Sequence, residues 1–245
     1  MKNFATVYGL LYGDDFKLHN RFLDSLFTHV PRDTVDVRLW CNVLCEQTKQ
    51  RLMAEFSKRK STSDKWLDFY FCPDNRPKYK AMADMFTHRW KPGSAWVIWF
   101  DDDSYIEKAD WCKQTAAYIK EHPDTRYIGQ PWFVHHLPGQ WDFIKKADWY
   151  RGLPPEQCPT RTKGVTKPGI TFAQGAYWWL RTDVLNKLNW PDPRLNHNGG
   201  DTLLGEAIRQ QGLSLTKFHY GVQVNKYKRR GMHEKPAGSL KDIRR

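Results

Sequence analysis

Residues 4 to 11 alternate between the two faces of an extended chain and are rich in β-formers. Phe16, Phe22, Leu23, Leu26 and Phe27 then recur at helical spacing, so a strand followed by a helix is predicted. The unit repeats. Residues 35 to 44 read as a second strand and 46 to 60 as a polar helix; residues 67 to 71 read as a third strand, and Tyr79, Met82, Ala83 and Phe86 mark a third helix. Residues 95 to 100, AWVIWF, form a continuous apolar run of the kind buried on both faces of a parallel sheet. Such alternation implies an α/β sheet with right-handed crossovers. A helix over 109 to 119 and a strand over 126 to 134 follow.

The character then changes. Residues 137 to 169 carry Pro138, Gly139, Gly152, Pro154, Pro155, Pro159, Gly164, Pro168 and Gly169, with Trp141, Phe143, Trp149 and Tyr150 between them, and are expected to form a long loop or lid. Strand-like residues resume at Ile170. Helices are predicted over 182 to 188 and 201 to 211, and a short strand over 215 to 218.

The chain has 245 residues, 40% of them hydrophobic, which suits one substantial core. Asp14 and Asp15 follow the first apolar stretch too soon for a signal peptide, and no apolar run approaches a membrane span, so a cytoplasmic protein is expected. Five cysteines without paired spacing point away from a disulfide framework or a structural zinc. Lys and Arg number 39 against 27 Asp and Glu, and residues 215 to 245 alone hold nine basic and two acidic side chains. That distribution favours polyanionic partners, either nucleic acid or an anionic membrane surface; a solvated tail is the plain alternative.

The apolar run 95 to 100 ends in Asp101, Asp102 and Asp103. Ligands of open α/β sheets bind at the carboxyl ends of strands. Adjacent carboxylates repel unless a cation or solvent is present, and oxygen-only ligands suit Mg2+ or Mn2+ bridging phosphates. An acidic turn closing a strand would look the same.

DDDSYI resembles the Asp-Asp-Asp-x-Tyr motif of Fringe-like and β-1,3-glycosyltransferase relatives with the GT-A fold. TFAQGAYWWL is similar to that group's Gly-rich acceptor-side segment, NGGDTLLGEAI to its acidic motif with Gly four residues after Asp, and KFHY to its C-terminal His segment. The likeness covers roughly residues 95 to 220. It implies a Rossmann-like nucleotide-sugar-binding fold with a mostly parallel sheet flanked by helices, in one domain. Residues 1–134 would form the nucleotide-sugar half, 135–169 an acceptor-side lid, 170–220 the acceptor and catalytic half, and 221–245 a basic tail.

The resemblance further implies that Asp103 is the principal ligand of Mn2+ or Mg2+, with Asp101 in the ribose or metal shell and His219 as another ligand. Asp201 would be the general base of an inverting transfer from a UDP-sugar. The chain departs from the pattern at Gly200, where a second acid commonly stands, and in lacking an anchor and disulfides.

Other readings remain open at these positions. Asp201 also fits the first turn of a helix, where an acid is stabilising, and Glu206 is the fallback base. His219 competes with His233 and with a structural role. Arg76, Lys78 and Lys80 are in reach of a diphosphate, and with Asp101, Asp102 and Tyr8 at the end of the first strand they complete the expected donor site. Gln174, Gly175, Trp178, Trp141 and Trp149 are the expected acceptor residues, although Gly175 equally fits a β-bulge.

DNA carrying a hydroxymethylated base is the favoured acceptor, through a basic lid with Lys145, Lys146, Arg151, Arg161, Lys163 and Lys167 and through the tail. A lipid-linked saccharide at the membrane surface is the alternative, and a non-catalytic binding protein the third.

Overall fold

The computed structural model describes residues 4–59, 66–135, 138–196 and 199–224. Its centre is a twisted mixed sheet. Four parallel strands, β1 (Ala5–Tyr12), β2 (Val35–Asn42), β3 (Leu67–Cys72) and β4 (Trp96–Asp101), lie in the order β3-β2-β1-β4. The crossovers are the helices α1 (Phe16–His29), α2 (Glu46–Arg59) and α3 (Lys78–Asp84), the last continued by a π turn, Met85–Arg89. Beyond β4 stands β8 (Thr166–Arg181), antiparallel to it, and then β6 (Tyr127–His135), antiparallel to β8, and β9 (Leu215–Lys217), parallel to β6.

Alternation in β4 supplies both cores. Val97 and Trp99 join one apolar cluster, under α3, α6 (Thr182–Leu188) and α7 (Gly200–Gln210). Trp96, Ile98 and Phe100 join the other, with α1 and α4 (Trp111–Glu121). The run is apolar throughout because its strand is sandwiched on both faces.

The expected loop is built rather than bare. It holds α5 (Pro138–Lys145) and β7 (Glu156–Pro159), which pairs with the first half of β8, so β8 begins at Thr166 and not at Ile170. Short elements interrupted by Pro and Gly carry no period long enough to read. Ile144, Ala147 and Trp149 anchor the segment in the core. A polar clamp adds to this: Gln210 Oε1 accepts from the backbone N–H groups of Arg151 and Leu153 at 2.9 and 3.1 Å, and Arg209 donates to Pro154 O at 2.7 Å.

Two further short strands, β5 (Tyr105–Ile106) and β10 (Val222–Gln223), pair antiparallel just after the Asp cluster. No helix among the described residues is long and apolar enough to cross a membrane. The basic tail from residue 225 on, with His233, lies outside the described residues.

Candidate active site

The strand order turns at β1, whose chain neighbour β2 lies on one side and β4 on the other. Asp101 ends β4 there, opposite Leu10. Trp99 fixes the carboxylate: its indole N–H donates to Asp101 Oδ1 at 2.9 Å. Lys78, the first residue of α3, donates from Nζ to Asp101 Oδ2 at 2.6 Å and to the carbonyl of Gly175 at 3.0 Å. Burial pushes the Asp101 carboxyl above its ordinary pKa, and the Lys78 ammonium works against that rise.

A bulge brings β8 to this point. Gly129 of β6 pairs with Trp178, but Pro131 pairs with Ala173, so Gln130 alone stands opposite residues 174 to 177. Residues 174 to 176 leave both ladders and pass beyond the end of β4, which last pairs at Phe100 and Tyr177. Gly175 sits in this bulge, and a Cβ there would lie 2.7 Å from Asp201 Oδ2. Glycine is what admits the acid. Asp201 is in the first turn of α7, and its backbone N–H donates to the Tyr79 hydroxyl at 2.9 Å. Its carboxylate makes no hydrogen bond to a described side chain or backbone group.

Tyr79 therefore links the two acids. Burial, with Asp201 and Asp101 both nearby, pushes its phenol well above the ordinary value. Its ring also explains Gly200, since a Cβ on that residue would fall 2.1 Å from Tyr79 Cζ. The second acid of the resembled motif has no room here.

Solved structures share this fold. The mannosyltransferase PcManGT from Pyrobaculum calidifontis, in complex with GDP-Man and Mn2+, aligns with a TM-score of 0.63 at 16% identity, over 95% of this chain and 59% of its own. TarS 1-349 of S. aureus in complex with UDP-GlcNAc gives 0.56 at 16%, over 96% and 60%. GalNAc-T7 with UDP, GalNAc and Mn2+ gives 0.59 at 11%, over 88% and 42%. The chain has the GT-A glycosyltransferase fold. It spans less than two thirds of each of these proteins, and no protein family and no curated protein matches it. The narrower likeness to Fringe-like enzymes rests on the four motifs alone.

Placed on this GT-A fold, the sequence-predicted residues separate. Asp101, Gly175 and Asp201 converge, with Gln174 beside them on the bulge. Asp102 turns inward: it is 6% exposed, accepts from Tyr12 N at 2.8 Å and lies 3.2 Å from His19 Nε2, tying β4 to β1 and α1. Tyr8 is core, donating to Trp90 O at 2.6 Å and packed edge-on against Phe86, because β1 runs on to Tyr12. Arg76 pairs with Asp84, and Lys80 donates to Pro193 O at 2.6 Å.

Of the expected acceptor tryptophans, Trp178 is buried and stacks on Trp99 at 6.0 Å, Trp149 is buried, and Trp141 packs edge-on against Tyr150. Glu206, the fallback base, is fully buried and held at both oxygens by Arg209. Among the described residues His219 forms no metal-holding group of three with the acids. Burial and Lys217 lower its pKa.

Among the described residues no group of three or more His, Cys, Asp or Glu side chains forms a metal cage. Mg2+ and Mn2+ sites of nucleotide enzymes need only one or two carboxylates, the phosphates and water completing the shell. Asp101 and Asp103 are the two carboxylates that flank Asp102 in the turn closed by Ser104 N on Asp101 O at 3.0 Å.

Lys78 and Tyr79 are the organising pair. Lys78 was legible only as one of three basic residues in reach of a phosphate. Tyr79 was legible only as an apolar helix position, although a hydroxyl on a buried stripe signals a partner.

Proposed function

We propose that this protein transfers a sugar from a UDP-linked donor to an acceptor hydroxyl, with inversion and with Mn2+ or Mg2+. The observation that carries the reading is the convergence of Asp101, Gly175 and Asp201 on Lys78 and Tyr79 at the carboxyl edge of a GT-A sheet. The donors and Mn2+ named for PcManGT, TarS and GalNAc-T7 support the donor class and the cation.

Asp101 and Asp103 hold the ion, which when bound neutralises charge on the diphosphate. Asn42 and Asn75, hydrogen-bonded at 3.1 Å where β2 and β3 end, frame the nucleoside end with Tyr12. Asp201 lies across Gly175 from Lys78 and accepts the proton of the attacking hydroxyl, a role that needs a carboxylate with free lone pairs on the acceptor side.

The favoured acceptor is DNA bearing a hydroxymethylated base. From Pro131 on, β6 continues past the level of Asp101 and exposes Trp132 (54%) and Phe133 (43%). The neighbouring β7–β8 hairpin exposes Arg161, Lys163 and Lys167. Cations for phosphates beside aromatic faces for unstacked bases are the ingredients of single-strand capture. Five unpaired cysteines suit a reducing, cytoplasmic setting.

The test is a panel of nucleotide-sugars with Mn2+ or Mg2+, read as nucleoside diphosphate release, with and without hydroxymethylated DNA. Metal-dependent release that Asp103→Ala lowers by about 10²-fold or more supports the transferase, and no turnover of any donor sinks it. Stimulation by the modified DNA should be lost at high salt and in Trp132→Ala, since phosphate contacts weaken steeply with salt. Release indifferent to DNA would move the acceptor to a lipid-linked saccharide.

A further inference from the structure

Asp101 is an acid held against a cation. Its Oδ1 takes the Trp99 indole N–H at 2.9 Å, and its Oδ2 is 2.6 Å from Lys78 Nζ. The Lys78 side chain is only 12% exposed, and its ammonium lies 5.6 Å from the Trp99 ring and 5.8 Å from the Tyr79 ring. It also donates to the neutral carbonyl of Gly175 in the bulge. The site thus holds a positive charge at the oxygen through which Asp101 would meet a divalent ion.

The two cations compete. A hard divalent ion sits about 2.1 Å from a carboxylate oxygen, so on Oδ2 it would come within about 5 Å of the ammonium, with little water between them. Leaving Asp101 with no cation is also unfavourable, because burial already raises the cost of its charge.

Resting on the transferase reading, we propose that Lys78 is an exchangeable counter-ion: it holds Asp101 in the empty protein, yields it to the divalent ion, and passes to the oxygens of the arriving diphosphate. Charge stays matched at each stage. Without donor, Lys78 offsets Asp101; with donor, the ion faces Asp101 and Asp103, and Lys78 faces the phosphates. A lysine suits the task, since its ammonium is a point charge on a flexible four-carbon stem. Trp99 keeps the carboxylate aimed while the partner changes. The ion and the nucleotide then bind cooperatively, and the coupling is reciprocal.

The experiment uses the whole chain and two equilibrium measurements: Mn2+ binding without nucleotide, and UDP binding at saturating Mn2+. In Lys78→Met, which keeps most of the apolar stem, Mn2+ alone should bind about ten-fold tighter and UDP about ten-fold weaker. Lys78→Arg retains the charge and should leave Mn2+ affinity within about three-fold of wild type. If Lys78→Met fails to fold, Lys78→Gln serves in its place with the same expectation. Unchanged Mn2+ and UDP affinities in a folded, charge-free variant overturn the exchange alone. Failure of wild type and variants alike to bind Mn2+ or UDP overturns it together with the transferase reading.

Discussion

Asp201→Asn should lower the transfer rate by about 10²- to 10⁴-fold, the range a positioned general base supplies, while UDP binding and folding persist. The substitution keeps the size of the side chain and leaves the backbone N–H of residue 201 on Tyr79. Only the proton acceptor is lost. As a first-turn acid Asp201 also stabilises α7, but that contribution is about 0.3 to 1 kcal/mol and cannot account for a hundred-fold loss of rate in a folded protein. Glu206 will not stand in, because both its oxygens are bound by Arg209 and one by Gln210 as well. The measurement separates kcat with acceptor from UDP affinity and from the melting temperature. A variant that keeps a tenth of the rate, with all else unchanged, would move the base elsewhere.

The sheet was legible where one pattern ran long enough. The strand ending in Asp101 announced itself because a central strand is apolar on both faces, and α1, α6 and α7 because their buried positions keep helical spacing. The bulge in β8 was not, since residues 174 to 176 look like strand in composition and only the partners' register shows that they leave the ladder. Burial also misled. Trp149 and Trp178 belong to the core and Trp132 to the surface, yet the sequence offers the same indole at each place. What decides is the face of a neighbouring element, which is a tertiary fact.

Gly200 shows the same limit from the other side. Its lack of a side chain departed from the resembled motif, and the reason was Tyr79, far away in sequence. Lys78 and Tyr79 stood in a helix whose period spoke only of packing. Their chemistry appears once Asp101, Gly175 and Asp201 meet around them.

Gly205→Ala should destabilise the protein despite improving helix propensity, and it explains why Asp and Gly stand four residues apart. Residues i and i+4 share one helix face, and that face of α7 lies on β8. At Gly205 a Cβ would meet Thr171 O at 2.4 Å, Phe172 Cβ at 2.5 Å and Phe172 Cα at 2.8 Å. Two of these atoms are backbone in a paired strand, so the helix rather than the neighbour must give way. Propensity favours Ala over Gly by about 1 kcal/mol in a helix interior, whereas forced overpacking costs about 1 to 3 kcal/mol and more where backbone is struck. The clash should win by about 2 kcal/mol, which for a domain of this size lowers the melting temperature by about 4 to 8 °C. Gly93→Ala is the control, because a Cβ there meets nothing within 4 Å. An unchanged or higher melting temperature for Gly205→Ala would mean that α7 stands off from β8. Lifting α7 at Gly205 also withdraws Asp201 from Gly175, one turn along the same face. Turnover of the folded Gly205→Ala variant should therefore fall even at temperatures where it is fully native, and the Asp-to-Gly spacing is a distance constraint on Asp201 written into the helix.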